Sequence, residues 1–394
     1  MADIVVLGGC GHVGLPLALA FAKAGRSVVA YDIDAAKVAQ VNAGRMPFLD
    51  RGADALLPEM LASGRLRCET APDCLATAET IITVTGTPVD EHLNPRLELL
   101  FEVLSEHRER LRDGQLLVVR STVYPGTTEQ VHARLRAWGL DLDVAFCPER
   151  VAEGVALEEI TSLPQLVAGC TPRAQARAEA LFGELAPRIV PLRPLEAELA
   201  KLFTNAWRYV QFAVANQFFT MANNYGVDFY RVHHAMTDGY PRAAHFPRAG
   251  FAAGPCLFKD TMQLSAFDQN HFFLGHSAML VNEGLPSYLV ERARLRFPLA
   301  DMRVAVLGMT FKKDSDDSRD SLSFKLRRLL VAHAREVLCH DPFLDAPWLV
   351  DLEEALAADL IFVGAPHSAY AGLDVGATPV IDPWNVVPGR LEVI

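Results

Sequence analysis

Residues 250–260 read Gly-Phe-Ala-Ala-Gly-Pro-Cys-Leu-Phe-Lys-Asp. They set one thiol, Cys256, in a bend of small residues, with Lys259 three places on and Asp260 four places on. Gly254 and Pro255 favour a tight turn. Lys259 and Asp260 open a stretch through Leu264 that reads as a helix. A thiol near a helix N-terminus with an ammonium close by ionises more easily, because dipole and cation both favour thiolate. Thiolate is the form that attacks an electrophilic carbon. The competing reading is packing, since unpaired cysteines are mostly small buried apolar side chains. Lys201 and Asn205 lie four apart, so a helix would carry both on one face. An ammonium beside a carboxamide can hold a developing oxyanion or a water; the plain alternative is a solvated lysine. Thr122 and Glu149 complete the set. Their alternatives are a turn or cap residue and a salt-bridged carboxylate.

These residues need elements to position them, and the N-terminal half supplies an alternating α/β pattern. Ile4-Val5-Val6-Leu7 is a short continuous apolar run, as a parallel strand covered on both faces requires. Gly9-Cys10-Gly11-His12-Val13-Gly14 follows at once, then an amphipathic helix over 15–24 and a strand over 27–31 that ends at Asp32. Gly9 permits the sharp turn, Gly11 lets backbone approach a pyrophosphate, and Gly14 lets helix and strand pack closely. The helix N-terminus faces the phosphates. Asp32 can accept from an adenosine ribose and repels a 2′-phosphate, which favours NAD over NADP. Further strands are expected over 80–84, 116–120 and 144–146, with helices at about 96–111 and 128–138 between them. Their ends carry Thr85-Gly86-Thr87, Ser121-Thr122 and Glu149-Arg150. Open α/β sheets bind ligands beyond the C-terminal strand ends, so these are candidate site residues.

After Pro194 the strand pattern stops. Residues 195–225 read as one long helix with no internal glycine or proline, apolar on more than one face. Helical segments continue over 232–236 and about 280–297, and the loop 240–254 between them carries Arg242, His245 and Arg248. A second α/β pattern then begins, with strands over 302–307, 336–339, 360–363 and 380–382. It lacks the glycine triplet, so a second dinucleotide is not expected there. Lys312, Lys313 and Arg319 after its first strand suit a nucleoside diphosphate, unless the acids among them pair with them instead. The expected fold is α/β: two Rossmann-like doubly wound parallel-sheet domains joined by a long central helix and a helical middle domain. The expected boundaries are 1–193, 194–298 and 299–394.

Bulk properties narrow the function classes. The 394 residues suffice for two or three domains. A net charge of −11 argues against nucleic-acid or acidic-lipid partners. The seven cysteines are scattered, with no CxxC pair, so neither a disulfide framework nor a structural metal site is expected. No leader and no membrane-spanning run is read, and a soluble cytoplasmic protein is expected.

With those residues in hand, the chain resembles the UDP-glucose/GDP-mannose dehydrogenase family over nearly its full length. The resemblance rests on 9–16, Asp32, Gly86-Thr87-Pro88, 121–128, Cys147-Pro148-Glu149-Arg150, Lys201 with Asn205, 251–260, 310–319 and Asp341-Pro342. It implies an NAD-dependent, four-electron oxidation of C6 of a nucleotide hexose to the acid, and a homodimer through the central helix. It implies that Cys256 carries a thiohemiacetal and then a thioester, and that Lys201 and Asn205 stabilise the oxyanion. Asp260 with Thr122 would handle water, and Glu149 would do acid–base work in thioester hydrolysis. NAD would meet Gly9, Gly11, His12, Val13, Gly14, Asp32, Thr85, Gly86, Thr87, Ser121, Thr122 and Arg319. The UDP-sugar would meet Glu149, Arg150, Lys201, Asn205, Arg248, Phe251, Gly254, Lys259, Phe311 and Lys312. Two departures bear on loop shape and sugar fit: Ala252-Ala253 stands where the family usually has Gly-Gly, and Phe258 replaces a frequent proline. The Cys-Pro-Glu-Arg segment looks like the members acting on UDP-N-acetylhexosamines, whereas 256–264 looks like the UDP-glucose members. Two other readings stay open: a two-electron hydroxyacid or polyol dehydrogenase with Cys256 merely packed, and a non-catalytic NAD-sensing protein on the same fold.

Overall fold

Short, wholly apolar runs build two separate sheets. The computed structural model describes residues 2–86, 90, 96 and 98–394; Thr87, expected in the NAD site, lies outside them. The chain divides into two compact units, 1–203 and 204–394.

The first unit holds strands β1 (Ile4–Leu7), β2 (Val28–Tyr31), β3 (Leu66–Glu69), β4 (Thr80–Thr83), β5 (Leu116–Val119), β6 (Asp143–Phe146), β7 (Gln165–Gly169) and β8 (Ile189–Pro191). Their order is β3-β2-β1-β4-β5-β6-β7-β8. All neighbours pair parallel except β6 and β7. Alternate residues of β1 serve opposite faces: Ile4 and Val6 enter one core, Val5 and Leu7 the other. That is why the run is continuous rather than alternating. Strands β3, β7 and β8 escaped the sequence reading. Leu66–Glu69 alternates buried and exposed around Arg67, and β8 is a three-residue edge strand with no fully buried residue. Neither shape is a continuous apolar run.

The second unit holds β9 (Arg303–Leu307), β10 (Glu336–His340), β11 (Leu360–Val363) and β12 (Val380–Ile381), all parallel in the order β10-β9-β11-β12. Here too the strand splits its residues, Val304 and Val306 to one core and Ala305 and Leu307 to the other. The helical middle shares that first core. Phe219, Phe229, Leu285 and Leu289 cluster with Val304, Val306 and Phe362, so the compact units break inside the central helix (Pro194–Asn224). Helix Phe273–Arg296 begins well before the expected residue 280, because its first turn is carried by exposed Phe273 and Leu274 rather than by an apolar stripe. No helix among the described residues is long and apolar enough to cross a membrane.

Candidate active site

In the first unit, the glycine turn joins β1 to helix Gly14–Lys23, whose N-cap is Val13. A Cβ on Gly9 would lie 2.6 Å from Ala30 Cα, and one on Gly14 would lie 2.4 Å from Gly8 O. Those two glycines are demanded by packing. Gly11 differs: the nearest atom to its Cβ position is Gly8 O at 3.6 Å. Open space above Gly11, at a helix N-terminus, is where a pyrophosphate fits. Asp32 closes the turn, accepting from Cys10 N at 3.0 Å through Oδ2 and from Asp34 N at 3.0 Å through Oδ1. Its remaining lone pairs suit a ribose diol. His12 stacks on Phe48, ring centroids 4.2 Å apart, which the sequence did not reveal. Ser121 donates its hydroxyl to Thr85 O, joining two strand ends of the expected cofactor edge. Thr122 is half-buried beside it, and Gly86 has open space at its Cβ position.

Glu149 is buried in a way that departs from an acid–base role. Its Oε2 accepts from Arg120 Nε at 2.9 Å and Nη2 at 2.6 Å, and its Oε1 accepts from Arg150 N at 2.7 Å and Val151 N at 2.8 Å. A carboxylate offers about four acceptor sites, and all are occupied. Arg120, itself 1% exposed, also donates to Cys147 O and Gln165 Oε1. Glu149 therefore shapes the 149–151 backbone. The missed signal was Arg120, a charge inside an apolar strand end directly before Ser121-Thr122. Arg150 itself is exposed.

Lys201, half-buried, and Asn205, buried, sit one turn apart on the central helix. In the second unit, Asn205 Nδ2 donates to Asp260 Oδ2 at 2.6 Å, and Lys259 Nζ stands 3.3 Å from Asp260 Oδ1. Asp260 is fully buried, yet Cys256 four residues earlier is exposed. Cys256 is the N-cap residue of helix Leu257–Phe267, a position that lowers the cost of a thiolate. The other cysteines are buried or half-buried, and burial pushes the Cys74 and Cys339 thiols up to about 11 and the Cys147 and Cys170 thiols up to about 12. The sequence-expected quartet of Asn205, Cys256, Lys259 and Asp260 thus lies on two helices tied by one charge-assisted hydrogen bond.

The loop before Cys256 rests on the second sheet. Gly254 has φ +97° and a Cβ there would lie 2.4 Å from Phe311 Cδ2; its N–H donates to Asp320 O. Phe251 is 3% exposed and belongs to the core, so its side chain is packing rather than a ligand contact. Phe311 and Lys312 follow β9, with the ammonium 5.9 Å from the ring centroid. Arg319 is forked onto Asp317, the internal pairing that the local acids had allowed. Arg248 is exposed. A buried dyad braces the loop after β9, residues 309–314. His367 Nε2 lies 3.1 Å from Asp341 Oδ2, and His367 Nδ1 accepts from Asp314 N, so the ring proton sits on Nε2. Asp341 Oδ2 also accepts from Met309 N and Thr310 N. Burial opposes ionisation of Asp341, but His367 and the Phe343 and Met309 amides outweigh it and hold its pKa below the usual range.

Three models of one family match the chain. The NAD-binding-domain model of the UDP-glucose/GDP-mannose dehydrogenase family matches residues 2–186, its central-domain model 195–283, and its UDP-binding-domain model 305–389. A UDP-N-acetyl-D-mannosamine dehydrogenase of Pyrococcus horikoshii is 30% identical over 94% of this chain and 91% of that one. The UDP-glucose 6-dehydrogenase AglM of Haloferax volcanii is 31% identical over 93% of this chain and 92% of its own. The solved structure of the UDP-D-ManNAc dehydrogenase of Pyrococcus horikoshii superposes with TM-score 0.91 at 29% identity, covering 99% of this chain and 97% of that one.

Proposed function

The chain belongs to the UDP-glucose/GDP-mannose dehydrogenase family, whose members are NAD-dependent nucleotide-sugar dehydrogenases, and on that premise we propose that it oxidises C6 of a UDP-hexose from alcohol to carboxylate through a thioester on Cys256. The sugar is glucose or an N-acetylhexosamine of the mannosamine or glucosamine type. The observation that carries the reading is an exposed cysteine capping a helix whose next turn holds a buried aspartate hydrogen-bonded to Asn205. A packed, inert thiol has no use for that setting.

NAD, when bound, accepts the hydride in each of the two oxidations. In the first, C6 loses hydride and its hydroxyl loses a proton, which leaves an aldehyde. Cys256 Sγ adds to the aldehyde carbon, and the carbon then carries a hydrogen that can leave as hydride again. The second loss leaves a thioester. Water attacks it, the C–S bond breaks, and the acid and the thiol are released. Asn205 spends one amide hydrogen on Asp260 and keeps one for the tetrahedral oxyanion, which Lys201 also meets. Asp260 orients or deprotonates the water. Lys259 supports the charge of Asp260, and Glu149 keeps the strand-end backbone in shape. Gly9, Gly11, Gly14 and Asp32 hold the dinucleotide; Lys312 and Arg248 meet the diphosphate.

The enzyme works as a cytoplasmic homodimer. Phe203, Trp207, Val214, Phe218 and Met221 are exposed on the central helix. At ~100° per residue they fall within about 60° of one another, a stripe that a second copy would cover.

The test is NADH yield and product mass across UDP-glucose, UDP-N-acetylglucosamine, UDP-N-acetylmannosamine and GDP-mannose. Two NADH per uronic acid are expected with one UDP-sugar, and Cys256→Ser should abolish acid formation. One NADH per turnover, unchanged in Cys256→Ser, refutes the reading.

A further inference from the structure

We propose that Asn216 is a positioning residue for Cys256: its carboxamide clamps the backbone at the root of the cysteine loop, and Asn282 holds the clamp in place. This rests on the reading of Cys256 as nucleophile.

Asn216 lies on the central helix and Asn282 on helix Phe273–Arg296, and both are fully buried. Asn216 Oδ1 accepts from Gly250 N at 2.8 Å, while Asn216 Nδ2 donates to Gly250 O at 2.9 Å. One side chain therefore satisfies both polar groups of a single residue. The second Nδ2 hydrogen goes to Asn282 Oδ1 at 2.9 Å, and Asn282 Nδ2 donates to Tyr209 O at 3.1 Å. The network fixes which way each amide faces: a reversed Asn216 would set its NH₂ against the Gly250 N–H. A buried amide is costly unless its partners are supplied, and here both hydrogens and the oxygen of the Asn216 amide have one. On the other side Gly250 meets Trp384: a Cβ would lie 2.3 Å from Trp384 Cε3, and φ is +147°. The peptide is pinned between a ring and an amide.

Asn205 and Asn216 are eleven residues apart, about 20° from the same direction on a helix. One face of the central helix thus grips both ends of the cysteine segment, Asn216 at Gly250 and Asn205 at Asp260. Cys256 lies between the two grips. Restricting both ends removes loop conformations in which sulfur misses the aldehyde carbon, and small misplacements of a reacting atom are costly in rate.

Asn216→Ala and Asn282→Ala test this, read by hydrogen exchange of peptides spanning 250–256 and by kcat and KM for the UDP-sugar measured separately. In Asn216→Ala, exchange should quicken and kcat for acid formation fall by about tenfold or more, with KM changed less than about threefold. Asn282→Ala should move both in the same direction by less. The double variant should be no worse than Asn216→Ala, because Asn282 acts through Asn216. Unchanged loop exchange, or a loss carried by KM alone, overturns the proposal. Should Asn216→Ala fail to fold, Asn282→Ala decides on the same readouts. Loop exchange needs no turnover, so the outcome is separable from the nucleophile reading, which Cys256→Ser tests independently.

Discussion

Gly254→Ala is the sharpest perturbation of the cysteine loop. The new methyl carbon would sit 2.4 Å from Phe311 Cδ2 and 2.7 Å from Phe311 Cε2, on a backbone with φ +97°. Two costs add. Holding an L-residue in that left-handed region costs about 1–2 kcal/mol, and forcing a methyl into a packed ring costs about 1–3 kcal/mol. The sum is about 2–5 kcal/mol, and a unit of this size loses roughly 2–4 °C of Tm per kcal/mol. Thermal unfolding should therefore shift down by about 4–20 °C. Cys256 is two residues away, so acid formation should fall as well. Phe311→Ala separates the two costs. In that background the clash is gone and only the backbone cost of about 1–2 kcal/mol remains, so Gly254→Ala and Phe311→Ala should be non-additive by about 1–3 kcal/mol. A Gly254→Ala protein with unchanged Tm and full acid formation would refute the reasoning, as would strict additivity with Phe311→Ala.

Other outcomes follow from the same geometry. Arg120→Met leaves the buried Glu149 carboxylate without its cation, and should cost about 3–5 kcal/mol by thermal or denaturant unfolding; adding Glu149→Gln should restore part of that loss. Gly11→Ala should keep a normal Tm, because nothing lies within 3.6 Å of the new methyl, but weaken NAD by about tenfold or more in titration. Gly9→Ala should lower Tm outright, since its methyl meets Ala30 Cα at 2.6 Å. Burial depresses the His107 pKa, so the unfolded chain takes up this proton first. Stability is then full above about pH 6.5 and falls as pH drops through that value. His107→Gln should flatten that part of the Tm–pH profile between pH 7.5 and 5.5, and an unaltered slope would rule the residue out.

The parts of the candidate site that are legible in the sequence are those whose chemistry is local in the chain. Gly9, Gly11, Gly14 and Asp32 form one strand–turn–helix–strand unit, and Cys256, Lys259 and Asp260 share one loop and one helical turn. Lys201 and Asn205 share one helix face by their spacing alone. Glu149 shows where such reasoning ends. Its position at a strand end was correct, but its four hydrogen bonds come from Arg120 twenty-nine residues away and from its own following backbone. Phe251 and Arg319 were likewise placed by motif, and the fold put one in the core and turned the other onto Asp317.

From its sequence alone this protein reads as a two-sheet α/β protein with a dinucleotide turn and one candidate thiol nucleophile, because periodicity and glycine spacing are written into consecutive residues. Which polar groups are used up and which remain for a ligand was decided only by tertiary structure. Asn216 meets Gly250 across 34 positions and His367 meets Asp341 across 26. Such pairings depend on where the chain returns in space, and a buried amide or carboxylate takes its role from whatever partner that return brings within hydrogen-bond reach.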